Sequence, residues 1–253
     1  MIPEIKDSLK LLQWGIAEAV WPTRCVICDT PGALLCRACE LSLPYLDQLL
    51  ACPACGAPWG RSICCECNQQ TLRWKGLERF PLEGCASATL LSPETKRIVT
   101  TFKDRGEREL SETIARLMAQ ALPPSWGGDT AFVPIPARKN AVRERGFDHV
   151  ALIAGRLSGL TGIPRLALLR ALPRRDQRDL DARQRLSNMA GSFALAKSTN
   201  VARGRASKAL HAVPPRIILV DDVLTTGATL FTAANILRAS GAKDVRALTF
   251  IRA

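Results

Sequence analysis

Residues 217–229 read Ile-Ile-Leu-Val-Asp-Asp-Val-Leu-Thr-Thr-Gly-Ala-Thr, and few strings constrain a fold as tightly. Ile217 to Val220 is an unbroken β-branched and aliphatic run. It suits a strand covered on both faces and hence a parallel sheet, whose crossover helices bury it from both sides. From Leu230 the apolar residues Leu230, Ala233, Ala234 and Leu237 return at helical spacing, and Gly241 stands where a C-terminal cap belongs. The chain must therefore turn sharply over Thr225 to Thr229 at the carboxyl end of a buried strand. Such a turn presents backbone N–H groups and threonine hydroxyls at a helix N-terminus, which is an anion site.

Asp221 and Asp222 narrow the choice of anion. A carboxylate pair repels a bare phosphate, but it suits sugar hydroxyls and a magnesium ion close to that phosphate. A ribose 5-phosphate satisfies both halves. The Walker pattern with its lysine is missing, and no G-x-G-x-x-G follows a strand, which removes nucleoside-triphosphatase and dinucleotide readings. The whole string resembles the 5-phosphoribosyl-1-pyrophosphate (PRPP) signature of type I phosphoribosyltransferases. That resemblance implies ligand contacts from Val220, Asp221, Asp222, Thr225, Thr226, Gly227, Ala228 and Thr229. In it the phosphate lies on the turn amides and the two acids hold ribose hydroxyls and order magnesium.

Strand and helix patterns alternate through the rest of the chain. Ala86 to Leu91 reads as a strand; Leu110, Ile114, Leu117 and Ala121 mark a helix closed by Pro123 and Pro124; Ala131 to Ile135 is a second buried strand. Phe147, Val150, Ile153, Leu157 and Leu160 keep helical spacing up to Gly162, and Val245 to Ile251 forms a last strand. This β-α-β order predicts an α/β fold with a doubly wound parallel sheet of type I phosphoribosyltransferase type. The 253 residues suffice for that domain and a small appendage. The boundary is drawn at about residue 80, giving 1–80 as an N-terminal helix with a cysteine-rich module and 81–253 as the phosphoribosyltransferase-like domain. Leu9, Leu12 and Ile16 give the N-terminal helix an amphipathic face that packs on the protein, a partner or a membrane surface. Its charges argue against a signal peptide, no apolar run is long enough to span a bilayer, and a cytoplasmic chain without stable membrane insertion follows.

A reducing cytoplasm leaves ten cysteines to be explained without disulfides. Cys25, Cys28, Cys36 and Cys39 form C-x2-C-x7-C-x2-C, and Cys52, Cys55, Cys64 and Cys67 form C-x2-C-x8-C-x2-C. Two-residue spacing lets paired thiolates converge on one metal, and four thiolates close the tetrahedral shell of structural zinc. Two structural zinc ions are expected, with sequential pairing favoured over an interleaved arrangement and iron–sulfur ligation as the rarer alternative. A closed shell has no open position for catalysis. Cys65 is a spare thiol or a substitute ligand, and Cys85 reads as a core residue.

Net charge is +12, and from Arg165 to Arg216 twelve Lys and Arg face three Asp. Such a stretch meets single- or double-stranded DNA, an acidic membrane surface or a polyphosphate, or is a solvated loop. Lys197 to Ala212 has no periodicity and reads as a connection. Val133-Pro134-Ile135-Pro136 ends a strand and leads into Arg138, Lys139, Arg143, Arg145 and Gly146, a basic, Gly-containing loop suited to a pyrophosphate with its magnesium. Lys103 and Arg105 are weaker candidates for further phosphate contacts, reading equally well as a helix-end basic pair.

The cysteine ribbons, the Val-Pro-Ile-Pro strand end, Arg145-Gly146-Phe147, the series Gln177, Leu180, Arg185, Asn188 and Phe193, and the Asp-Asp turn follow one another in the order seen in the ComF family. The resemblance covers almost the whole chain. ComF proteins are phosphoribosyltransferase-like and are linked in several bacteria to DNA uptake in natural transformation, which implies a competence-machinery partner. It also implies a closing loop over Arg174 to Asn188, with Gln177, Arg183 and Arg185, and catalytic roles for Asp221, Asp222 and Arg145. Asp148 departs from the family's usual asparagine. Two functions follow as expectations: Mg-dependent phosphoribosyl transfer, or a non-catalytic PRPP-sensing or DNA-handling accessory that keeps the fold.

Overall fold

The computed structural model describes residues 22–172, 192–196 and 213–253. The N-terminal amphipathic segment, the closing-loop residues Gln177, Arg183 and Arg185, and the 197–212 connection lie outside the described residues. In chain order the elements are α1 (Arg37–Leu41), α2 (Gln69–Trp74), β1 (Cys85–Leu90), α3 (Pro93–Asp104), α4 (Leu110–Ala121), β2 (Ala131–Pro134), α5 (Lys139–Arg145), α6 (His149–Thr161), β3 (Leu169–Ala171), β4 (Phe193–Leu195), β5 (Arg216–Leu224), α7 (Ala228–Ala239) and β6 (Asp244–Arg252).

β1, β6, β5 and β2 form one sheet in that order, and every pairing is parallel. Successive side chains of a strand point to opposite faces, and the two cores follow that alternation. Ile218, Val220, Phe132, Leu248 and Phe250 pack with Ile98 and Phe102 of α3, Ile114 and Leu117 of α4, and Ile153 and Leu157 of α6. Ile217, Leu219, Val133, Val245 and Ala247 pack on the other side with Leu230, Ala233, Ala234 and Leu237 of α7. Helices thus cover both faces, as the unbroken apolar run of β5 requires.

Local chemistry sets the element ends. Ser92 caps α3 through a reciprocal capping box with Thr95, and Pro93 occupies the first turn. The helical pattern expected from Phe147 starts two residues later. Gly146 takes a left-handed conformation (φ 77°) that ends α5, and Asp148 then caps α6 by accepting from Ala151 N. β5 is longer than its apolar run, so Asp221 and Asp222 lie on the strand itself. The short antiparallel pair β3–β4 carried no clear alternation in the sequence.

The cysteine-rich segment is packed onto the sheet domain. Residues 44–46 run antiparallel along the edge strand β1, with Leu46 N donating to Ala88 O and Leu90 N to Pro44 O. This covers an edge that would otherwise present unpaired backbone groups. Cys25, Leu35 and Leu43 join the core of α3, α4 and α6, while Phe80 belongs both to the α7 core and to the small cluster of Cys52, Cys55 and Ala57. The two four-cysteine segments therefore bind opposite faces of one sheet.

Phe132 is fully buried at the centre of the first core. Phe132→Ala should cost about 3–5 kcal/mol in denaturant unfolding, without changing zinc content.

Candidate functional site

The turn between β5 and α7 is shaped by Gly227. Its φ of 77° lies in the left-handed region, and a Cβ there would come within 2.6 Å of Cζ of Phe231. A side chain is thus excluded by backbone and packing together. The N-cap residue Gly227 offers no side chain to α7; Thr226 Oγ1 accepts from Ala228 N at 3.5 Å, and the other first-turn N–H groups have no intrahelical acceptor. Thr225 and Thr226 are exposed, whereas Gly227 and Ala228 are buried beneath the turn.

A cleft of about 420 Å³ opens at this carboxyl edge, and Thr225, Thr229, Asp221 and Asp222 line it with Arg138 and Arg145 from the basic segment. The two sequence motifs thus meet in one cavity. Lys139, Arg143, Gly146, Val220, Thr226, Gly227 and Ala228 do not line it. Lys139 and Arg143 are exposed on α5, because a helix places only part of that basic run toward the cleft. Lys103 lines the cavity and Arg105 does not.

The acids are unequal. Asp222 is buried, and its Oδ2 lies 3.0 Å from Lys103 Nζ and 3.3 Å from His149 Nε2. Burial alone would raise its pKa, but the His149 hydrogen bond and the Lys103 ammonium outweigh it and hold the carboxyl below the usual range. Asp221 is half-buried and accepts from Asp222 N at 2.9 Å. Burial and the neighbouring Asp222 carboxylate push its pKa up. Asp222 is anchored through Oδ2 to Lys103 and His149, and Asp221 keeps acceptor capacity toward the cleft.

His149 carried no signal as a lone histidine among apolar residues, yet it joins the two halves of the site. Its Nδ1 lies 3.3 Å from an Arg145 guanidinium nitrogen. A guanidinium only donates, so Nδ1 accepts, the proton sits on Nε2, and Nε2–H donates to Asp222. Arg145 also approaches Asp104 at 3.7 Å. Arg108 is a second unforeseen residue, stacking over Phe147 at 4.8 Å and donating to Gly146 O at 3.1 Å. Asp148 does not line the cleft; one of its oxygens caps α6 and the other accepts from Ala137 N at 3.2 Å. An asparagine has one acceptor oxygen for these two tasks.

The cysteines form two groups, Cys25, Cys28, Cys36, Cys39 and Cys52, Cys55, Cys64, Cys67, each with its sulfurs within 4.8 Å of one another. Cys28–Cys36, Cys52–Cys67 and Cys55–Cys64 contacts of 3.4–3.6 Å approach the edge of about 3.8 Å that a tetrahedron of about 2.3 Å Zn–S bonds requires. Each group could hold a zinc ion, and the pairing is sequential. Cys65 stays outside both groups and exposed, while burial pushes the Cys85 thiol up as expected of a core cysteine.

Elemental analysis should find two zinc ions per chain, and Cys55→Ser should lose one of them and unfold its segment; near-zero zinc in protein purified without chelators would reject both sites. The acid pair predicts opposite stability effects. A raised folded pKa makes ionised Asp221 oppose folding as pH rises, so Asp221→Asn should raise the thermal midpoint at pH 7 and converge on wild type below the ordinary carboxyl value of 3.8. A lowered folded pKa makes Asp222 stabilising above 3.8, with that stability lost as pH falls. Asp222→Asn should therefore destabilise by about 1–3 kcal/mol at pH 7.

Similarity to known proteins runs nearly end to end. The chain is 27% identical over 231 residues to competence protein F of Haemophilus influenzae, covering 87% of this chain and 90% of that protein. It is 26% identical over 240 residues to DNA utilization protein YhgH of Salmonella typhi (89% and 95%). It is 25% identical over 247 residues to competence protein ComFC of Bacillus subtilis (90% and 94%). No family model matches. Among solved structures, an allosteric regulatory enzyme of purine biosynthesis superposes at a TM-score of 0.33 with 18% identity over 55% of this chain and 25% of that one. The adenine phosphoribosyltransferase of Leishmania tarentolae superposes at 0.29 with 16% identity over 58% and 73%. The chain is thus similar over about nine-tenths of its length to proteins named competence protein F, ComFC and YhgH, and it combines an α/β fold built on a parallel sheet with two four-cysteine clusters at its N-terminal end.

Proposed function

We infer that the cleft binds PRPP with magnesium and that the protein transfers its phosphoribosyl group. One observation carries this reading: the turn that starts a helix, an acid pair, and Arg138 with Arg145 line one cavity of about 420 Å³. The turn at 225–229 takes the 5-phosphate through backbone N–H groups. Asp221, with spare acceptor capacity, takes ribose hydroxyls and orders magnesium, while Asp222 stays tied to Lys103 and His149 and fixes the end of the strand. Arg145 faces the pyrophosphate, its direction set by His149 and Asp104.

In the reaction the bond from the anomeric carbon to pyrophosphate breaks, its electrons leave on pyrophosphate, and a nitrogen nucleophile or water bonds to the same carbon. Arg138 and Arg145 stabilise the leaving charge, and the cleft walls limit competing water. The closing role of Gln177, Arg183 and Arg185 remains part of this proposal.

The names of the relatives, competence and DNA utilization proteins, support a role in DNA uptake beside a competence partner. They equally suit a non-catalytic protein in which PRPP acts as a signal. A cytoplasmic setting is inferred from free cysteines that need reducing surroundings, and no helix among the described residues is long and apolar enough to cross a membrane.

Calorimetry with Mg-PRPP should show binding to wild type. Asp221→Ala or Arg145→Ala should weaken it on the order of ten- to a hundredfold, equivalent to losing a charged hydrogen bond of about 1.5–3 kcal/mol. Wild type that ignores Mg-PRPP, or a folded Asp221→Ala that binds it equally, contradicts the reading. PRPP-dependent pyrophosphate release with a panel of nitrogen acceptors then separates an enzyme from a sensor.

A further inference from the structure

The phosphate turn is gripped at both ends by groups that start in the second four-cysteine segment. At its beginning, Glu66, between Cys64 and Cys67, pairs with Arg252, which is 5% exposed. Arg252 donates to Leu224 O at 3.4 Å, and Ala253 N donates to the same carbonyl at 2.9 Å. Leu224 is the last residue of β5, directly before Thr225. Arg252 Nε is buried with no hydrogen-bond partner among the described residues, and its other nitrogens reach Glu66, Leu224 O and Ala253 O, so the Glu66 carboxylate helps to compensate a buried guanidinium. Removing it loosens the hold of Arg252 on the Leu224 carbonyl, to which Ala253 N still donates.

At the end of the turn the link is apolar. The Phe231 ring occupies the space that a Cβ on Gly227 would enter. Phe80 meets Phe231 edge-on, with ring centroids 5.1 Å apart and planes at 83°. The same Phe80 packs against Cys52, Cys55 and Ala57. An edge-to-face pair between two buried or half-buried rings fixes orientation as well as distance, so Phe80 sets how far Phe231, and the turn above it, can sink. The first four-cysteine segment has no such reach, because it binds the opposite face of the sheet and pairs Glu40 with Arg116 of α4.

We propose that Glu66 and Phe80 are positioning residues for the phosphate turn, making the second four-cysteine segment part of the ribose-phosphate half of the cleft. This rests on the ribose-phosphate reading of that half. The pyrophosphate half, on α5 and α6, lacks these supports. Damage to the brace should therefore separate two affinities that general destabilisation would lower together.

The test uses full-length, zinc-loaded protein, wild type and the variants Glu66→Gln, Phe80→Leu, Phe80→Tyr and Glu40→Gln, with zinc content checked in each. Glu66→Gln and Phe80→Leu should speed amide hydrogen exchange over 225–231 by about tenfold and leave 139–146 unchanged. They should weaken ribose 5-phosphate by about tenfold and pyrophosphate by less than about twofold. Phe80→Tyr, which keeps the ring edge, should restore both readouts, and Glu40→Gln should change neither. Unchanged exchange over 225–231 in zinc-replete Glu66→Gln and Phe80→Leu overturns the brace, as does equal loss of both ligands. Wild type that ignores ribose 5-phosphate overturns the reading of the cleft instead, while the exchange result still decides the brace.

Discussion

A carboxylate buried at the end of a parallel strand must be compensated, and the way Asp222 is compensated organises the site. Lys103 comes from α3 and His149 from α6, so one oxygen of Asp222 ties two helices to the end of β5. A buried ion pair of this kind adds little net stability over an apolar core, but losing one partner strands the other. Its structural value is registry. With α6 held to β5, Arg145 and Arg138 share the cleft with the turn at 225–229, which brings a helix N-terminus and the basic helix α5 to one cavity.

The same arrangement divides labour between adjacent acids. Alternation along β5 sends Asp221 and Asp222 to opposite sides of the strand; one side meets Lys103 and His149, and the other keeps a carboxylate under strain from its neighbour. Charge kept where it costs folding energy is expected of a binding site. Asp222 is held through one oxygen within the protein, and in the proposed function Asp221 receives hydroxyls or a cation.

Much of this was legible from residues alone, for physical reasons. The apolar run of β5 demands two covered faces, which fixed the sheet as parallel and doubly wound. A Gly between Thr-Thr and Ala-Thr marks a left-handed turn. Paired C-x2-C knuckles bring sulfurs together locally, and the observed sequential groups decide against an interleaved arrangement. The rest depended on distant contacts. Nothing near His149 tells that its Nε2 reaches Asp222 across the fold, and nothing in Phe80 or Arg252 announces the turn after β5. The basic run Arg138 to Arg145 was read as one loop, but its helical periodicity turns Lys139 and Arg143 to solvent. Helix α3 is signalled by Ser92-Pro93-Glu94-Thr95, whose first and last residues form its capping box, while β3 and β4 are too short and irregular for alternation to show.

The central claim is that the turn after β5 takes the phosphate of a ribose phosphate. Its most direct test is a crystal structure of the zinc-loaded protein with ribose 5-phosphate bound. The account predicts phosphate oxygens within about 3 Å of the backbone nitrogens of 225–229, with ribose hydroxyls on Asp221 and the Asp222–Lys103–His149 contacts retained. Phosphate found on Arg138 and Arg145 with the turn empty, or ribose hydroxyls directed away from Asp221, would contradict it.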